Sequence, residues 1–226
     1  MESLVSRIER LRRGEGDDDE FWSRVVVEVE SVLRAIRNVE IAGHQLQKIG
    51  SPRFRRPKNI TYEDIILYHT AVALNEGVIY DNRVSRLFKH FERQFLSDGN
   101  AVGLQVVRTT RQRMKSDNRL RRMRRQHVHE QPFVPPALTM YAAWGSRKVS
   151  SYRRRQMTAA YKRTARLYGR TWTWLASVMD AMGEFYLDIF GLLMTPSLSR
   201  EDAETELERI TSRLNRTMSE RGVPQP

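Results

Sequence analysis

The sequence contains no cysteine, which excludes disulfide bonds, thiolate metal sites and cysteine nucleophiles. It also lacks an uninterrupted apolar run. Its longest apolar stretch, residues 171–194, contains Asp180, Glu184 and Asp188. An ionised carboxylate at the centre of a membrane span costs a few kcal/mol, so we predict no membrane-spanning segment. The N-terminus reaches charged residues at once and has no apolar region typical of a secretory signal, so we expect a soluble intracellular or virion-associated protein.

The sequence patterns of common enzyme classes are missing as well. There is no glycine-rich phosphate loop and no Gly-x-Ser-x-Gly pattern. The acids at 180, 184 and 188 share one helical face, but two-metal nuclease sites collect ligands from several elements, and no partner acids can be identified. The segment His127-Val128-His129-Glu130 resembles a metal site, yet no third and fourth ligands can be located. We therefore predict no enzymatic activity, no metal and no other cofactor.

Lysine is scarce, whereas arginine is abundant: the chain has 33 arginines and six lysines. The 63 residues from Arg108 to Arg170 hold 18 of these cations and only two acids, Asp117 and Glu130, which gives this stretch a net charge of +16. The other 163 residues together sum to about −4, because the whole chain carries +12. Arginine presents a planar fork of donors that matches phosphate oxygens and stays charged when partly buried. This concentration of one charge indicates a polyanionic partner.

The predicted partner is the phosphate backbone of DNA or RNA. No helix-turn-helix, zinc finger, basic zipper or aromatic RNA-binding motif can be placed on the chain, so we expect binding without sequence readout. Aromatic residues occur between the cations; Tyr161 and Tyr168 follow a core spacing, while Tyr141, Trp144 and Tyr152 stay open as base-stacking residues. The predicted phosphate contacts are Arg53, Arg55, Arg56, Lys58, Arg108, Arg111, Arg113, Lys115, Arg119, Arg121, Arg122, Arg124, Arg125, Arg147, Lys148, Arg153, Arg154, Arg155, Lys162, Arg163, Arg166 and Arg170.

Apolar residues recur at helical spacing almost throughout, and no convincing strand alternation occurs. We predict an all-α fold, an elongated bundle of about three long helices plus shorter ones with no significant β-sheet. The proposed segments, expected to form one cooperative domain, are 1–50 (N-terminal helices), 51–100 (basic loop and long helix), 101–149 (arginine-rich segment and proline-rich connector) and 150–226 (long amphipathic helix and C-terminal helix).

The long amphipathic helix predicted within residues 150–226 has a basic half, and the acids Asp180, Glu184 and Asp188 lie further along the same face. We predict that these acids contact arginines of a neighbouring subunit. Together these features favour a self-assembling homo-oligomer, or an assembly with closely related subunits, that coats or packages DNA or RNA like a nucleoprotein or capsid. Two alternatives remain: a basic matrix-type protein that docks on anionic membrane, and a small dimeric regulator that sequesters nucleic acid.

Overall fold

The computed structural model describes residues 20–114, 150–193 and 199–221, except for the side chains of residues 113 and 114. Five α-helices occupy 89% of these residues, and this part of the chain contains no β-strand. The predicted all-α fold is confirmed. Three of the helices have 30, 36 and 43 residues. In chain order the helices are α1 (Glu20–Ile49), α2 (Tyr62–Ser97), α3 (Ala101–Met114), α4 (Ser151–Leu193) and α5 (Arg200–Glu220).

The helix boundaries follow local sequence signals. At the start of α2, Thr61 and Asp64 form a reciprocal capping box: the Asp64 amide donates to the Thr61 hydroxyl oxygen at 3.0 Å, and the Thr61 amide donates to the Asp64 carboxylate at 2.9 Å. Ser199 caps α5 by accepting from the Asp202 amide at 3.1 Å. The left-handed conformation of Gly99, with a φ of 66°, ends α2. Glycine suits this position because the conformation is costly for residues with a Cβ. None of the five helices is long and apolar enough to cross a membrane.

The contacts divide the described residues into two compact units, each of which combines parts of α1, α2 and α4. The first unit comprises residues 20–36, 79–114, 177–193 and 199–221. The second comprises residues 37–78 and 150–176. Each of the three long helices contributes one part to each unit. That the segments form one cooperative domain stays a prediction.

The first unit has an aromatic core between α2 and α4. Phe91 stacks on Phe190 with ring centroids 4.6 Å apart, and Phe88 meets Tyr186 edge-on at 5.5 Å. Beside this core the buried Glu28 of α1 accepts a hydrogen bond from Arg83 at 3.0 Å. A buried carboxylate without such a partner would be strongly destabilising, so this pair fixes α1 against α2.

The second unit is built around a close crossing of α1 and α4. Gly43 and Gly169 face each other there, so the two backbones approach without intervening side chains. A Cβ at position 169 would lie 2.7 Å from both the Gln47 amide nitrogen and the Gly43 carbonyl oxygen. The Gln47 side chain donates to the Thr173 hydroxyl at 3.0 Å beside this crossing. Only glycine permits this separation of the helices.

We predict that Gly169→Ala lowers the free energy of unfolding by about 1–3 kcal/mol, because the added methyl group meets backbone atoms that cannot move away singly. Urea denaturation followed by circular dichroism measures the change. Gly191→Ala in the same helix is the control: a Cβ there meets nothing within 4 Å, so the substitution should be neutral or stabilise by up to about 1 kcal/mol through helix propensity. Equal effects of the two substitutions would contradict the close crossing.

Candidate nucleic-acid interface

A basic loop connects α1 to α2 in the second unit. It carries Arg53, Arg55, Arg56 and Lys58, and all four side chains are exposed. Their only hydrogen bonds within the described residues go to backbone carbonyls of the loop itself: Arg55 donates to Pro52, and Arg56 donates to residues 57, 58 and 60. None of the four forms an ion pair with an acid of the described chain. The loop therefore presents uncompensated positive charge.

Lys162 of α4 holds this loop. Its ammonium group donates to the carbonyl oxygens of Ser51, Pro52 and Phe54 at 2.9, 3.0 and 3.2 Å. A lysine has three donors, and all three are used here. These carbonyls follow the end of α1, where unpaired carbonyls and the negative end of the helix dipole favour a cation.

Arg166 acts one helical turn further along α4. Its Nε donates to the carbonyl of Gly50 at 3.0 Å, so it binds the first residue after α1. Gly50 itself allows the contact, because a Cβ there would lie 2.7 Å from the Arg166 Cγ and 2.8 Å from the Lys162 carbonyl oxygen. Lys162, and in part Arg166, therefore position the loop; both were predicted as phosphate contacts, and that role is untested for them.

The contacts of Lys162 and Arg166 with the loop bring positively charged side chains close together. The pKa of Lys162 is lowered from its usual value, first by desolvation and then by the nearby charges of Arg55 and Arg166. Positive groups converge at this point and no acid of the described chain offsets them. Binding of a polyanion would relieve this repulsion.

Three aromatic side chains fill the space under the loop. Phe54 meets Tyr62 with ring centroids 6.1 Å apart, and Tyr62 stacks on Tyr161 at 6.1 Å with an interplanar angle of 12°. Tyr161 therefore packs inward, as its spacing indicated. Because these rings contact one another and are only partly exposed, they stabilise the loop and are poor candidates for base stacking.

Helix α4 presents a continuous exposed face next to the loop. The residues of this face are spaced three or four positions apart in the sequence, and all of them are exposed. The face extends over about 33 Å at the helical rise per residue. We call it the arginine stripe, and it consists of Tyr152, Arg155, Ala159, Arg163, Arg166, Arg170 and Trp174.

The charge of the chain is concentrated in the second unit. Its described residues contain 13 lysines and arginines and four acids, a net charge of +9. The described residues of the first unit contain 14 lysines and arginines and 15 acids, a net charge of −1. Between positions 151 and 176, α4 has no acidic residue at all. The basic character is therefore a property of one unit.

Arg108 and Arg111, two further predicted phosphate contacts, lie in the first unit. Arg108 meets the Glu92 carboxylate at 3.2 Å, and Arg111 forms an ion pair with the same group. Glu92 compensates the charge of these two arginines, so they do not belong to the candidate interface. Arg113 belongs to the end of α3, and its side chain is outside the described residues. The same holds for Lys115, Arg119, Arg121, Arg122, Arg124, Arg125, Arg147 and Lys148, for the His127–Glu130 segment, and for Tyr141 and Trp144.

The three acids predicted at a subunit interface lie on α4 in the first unit. Asp188 forms an ion pair with Arg213 of α5, and Asp180 lies 3.9 Å from Arg221 just after α5. Glu184 is exposed. Two of the acids thus meet arginines of their own chain, and the predicted contact with a neighbouring subunit remains a prediction without support from these pairs.

The sequence interpretation left Tyr152 open and did not single out Trp174. The sequence spacing could have identified both residues as part of one helical face, because steps of three or four residues from Tyr152 lead through the arginines to Trp174. What the sequence did not show is that this whole face is exposed. Within the described residues, no group of three His, Asp or Glu side chains is placed to hold a metal ion.

No family model, curated protein sequence or solved structure matches this chain. No function can therefore be transferred from a relative.

We predict that Lys162→Met, which keeps most of the aliphatic stem but removes all three donors, frees the loop from α4. Cleavage by trypsin after Arg53 and Arg55 should then become faster, because a protease needs the loop to leave its bound conformation. The cleavage rate is followed by mass spectrometry. Arg163→Met removes the neighbouring cation from the exposed face and should leave the rate unchanged; equal acceleration in both variants would contradict the positioning role of Lys162.

Proposed function

We propose that this protein is a structural nucleic-acid-binding protein that contacts the phosphate backbone through the basic surface of its second unit. We define this basic surface as the loop cations Arg53, Arg55, Arg56 and Lys58 together with Arg153, Arg154, Arg155, Arg163, Arg166 and Arg170 of α4. We further propose that the protein self-associates on the nucleic acid and packages it, as nucleoproteins and capsid proteins do.

The observation that carries the proposal is the distribution of charge between the units. Nearly all of the excess positive charge of the described residues lies in the second unit, most of it on exposed side chains, and the four loop cations form no ion pair with an acid of the described chain. Charge of one sign on one face is unfavourable for the isolated protein and is offset by a bound polyanion. The first unit shows the contrast, because Arg108, Arg111 and Arg213 each meet an acid.

The composition of the basic surface supports phosphate contact without sequence readout. Apart from its aromatic ends the arginine stripe contains only arginine and alanine, so it offers no asparagine or glutamine to read adenine and no acid to read cytosine. Arginine also distinguishes this surface from a membrane-docking surface, where lysine serves equally well. Lys162 is the only lysine in residues 150–176, and it is occupied by the loop carbonyls.

Self-association is supported by apolar surface in the first unit. A groove of about 160 Å³ between α1, α2 and α4 is lined mainly by apolar side chains, among them Val29, Leu33 and Leu187. Leu33 is 46% exposed, and Val27 on the same helix is 56% exposed. Exposed apolar surface of this kind is typical of protein interfaces.

The salt dependence of binding tests the proposed surface. A variant with Arg154→Gln, Arg155→Gln, Arg163→Gln and Arg170→Gln removes four charges from the second unit. The slope of log K against log salt concentration should decrease in magnitude by about 3, because each phosphate contact contributes about 0.7–0.9. Fluorescence anisotropy with a labelled oligonucleotide gives the slope.

The matched control removes four exposed charges from the first unit, with Arg34→Gln, Lys89→Gln, Arg93→Gln and Arg216→Gln. Its slope should change by less than about 1. Equal changes in the two variants would show that only the net charge matters and would contradict the proposed surface. Absence of binding by the wild-type protein at low salt would exclude the function altogether.

Assembly and membrane docking are separated by two further measurements. Light scattering with added nucleic acid should show large particles, whereas a small regulator would give a defined small oligomer. Flotation with anionic liposomes, after nuclease treatment, should leave the protein unbound; binding that survives nuclease would favour the matrix-type function.

A further inference from the structure

Aromatic side chains mark both ends of the arginine stripe. Tyr152 is 68% exposed at the start of α4, and Trp174 is 42% exposed at the other end. Leu167, next to the stripe, is also largely exposed. Large apolar side chains on a strongly basic surface gain nothing from phosphate alone. They therefore indicate that the ligand brings an apolar face as well as charge.

The chemistry that combines negative charge with a flat apolar face is a nucleobase on a sugar-phosphate strand. In a duplex the base faces are stacked inside, and only phosphates and base edges reach a protein surface. In a single strand each base exposes a π-face that can stack on tyrosine or tryptophan, while arginines follow the phosphates. The arrangement of four arginines between two exposed aromatic rings fits the single strand.

We propose that the arginine stripe binds single-stranded nucleic acid, with bases stacking on Tyr152 and Trp174 and phosphates contacting Arg155, Arg163 and Arg170. This inference rests on the proposed function and adds the class of strand. The first two turns of α4 support it, because residues 150–156 are exposed on all sides and leave the Tyr152 ring accessible. The aromatic cluster under the loop is a contrast, since Tyr62 and Tyr161 stack on each other.

The test compares three probes: an oligodeoxythymidine strand, an abasic strand of equal length and a duplex with the same number of phosphates. The full-length protein should bind the thymidine strand more tightly than the abasic strand. Tyr152→Ala should weaken binding to the thymidine strand by about 5- to 150-fold, since base stacking contributes about 1–3 kcal/mol per base. Tyr152→Ala should bind the abasic strand as the wild type does, with an unchanged salt slope.

Two variants act as controls. Tyr152→Phe keeps the ring and should retain most of the affinity. Tyr68→Ala removes another exposed tyrosine of the second unit, 65% exposed on α2 and outside the stripe, and should not change the affinity. A second readout is the tryptophan fluorescence: the thymidine strand should quench it, and Trp174→Phe should remove part of that quenching.

The outcomes separate this inference from the proposed function. If the wild-type protein binds the abasic strand or the duplex as tightly as the thymidine strand, the stacking inference is wrong while phosphate binding stands. Equal affinity of Tyr152→Ala and wild type for the thymidine strand also overturns it. If no probe binds at low salt, the proposed function fails with it. If Trp174→Phe changes the sedimentation of the protein without nucleic acid, the stripe is a contact between copies of the chain and the inference is overturned.

Discussion

The close crossing of α1 and α4 is the constraint from which the candidate interface follows. Gly43 and Gly169 let the two backbones meet, and Gly50 lets the end of α1 approach α4 in the same way. With the helices this close, Lys162 and Arg166 reach the carbonyls at the end of α1. Those contacts hold the basic loop beside the exposed face of α4. A wider separation would leave the loop and the helix as two unrelated basic segments.

Neighbouring cations perform two different tasks in this unit. Lys162 uses its donors on backbone carbonyls, whereas Arg163, its neighbour in sequence, extends into solvent. The distinction comes from the helical rotation of about 100° between successive residues, which turns one cation toward the loop and the next away from it. Bringing these groups together has a cost: the pKa of Lys162 is lowered, first by desolvation and then by the nearby charges of Arg55 and Arg166. A phosphate strand along the exposed face would offset this cost.

The first unit shows how the chain compensates charge where no polyanion is proposed. Glu28 accepts from Arg83 and Glu92 contacts Arg108 and Arg111, so these three arginines meet carboxylates of the same chain. Asp188 and Asp180 likewise have arginines close by. This unit instead carries the apolar groove beside Leu33, so binding of nucleic acid and self-association are proposed for different parts of the molecule.

The sequence by itself determined the helices and most of their ends. The spacing of apolar residues requires helical periodicity, and the signals at Thr61, Gly99 and Ser199 are local, so they can be recognised without knowledge of the fold. The sequence also showed where positive charge is concentrated. Only the tertiary structure decided which cations are available, because pairing depends on residues far apart in the chain. Arg111 and Glu92 are 19 positions apart, and Lys162 lies 108 to 111 positions from the carbonyls it binds. Exposure of the face from Tyr152 to Trp174 was decided in the same way, since periodicity groups residues on one face but does not tell which faces the other helices cover.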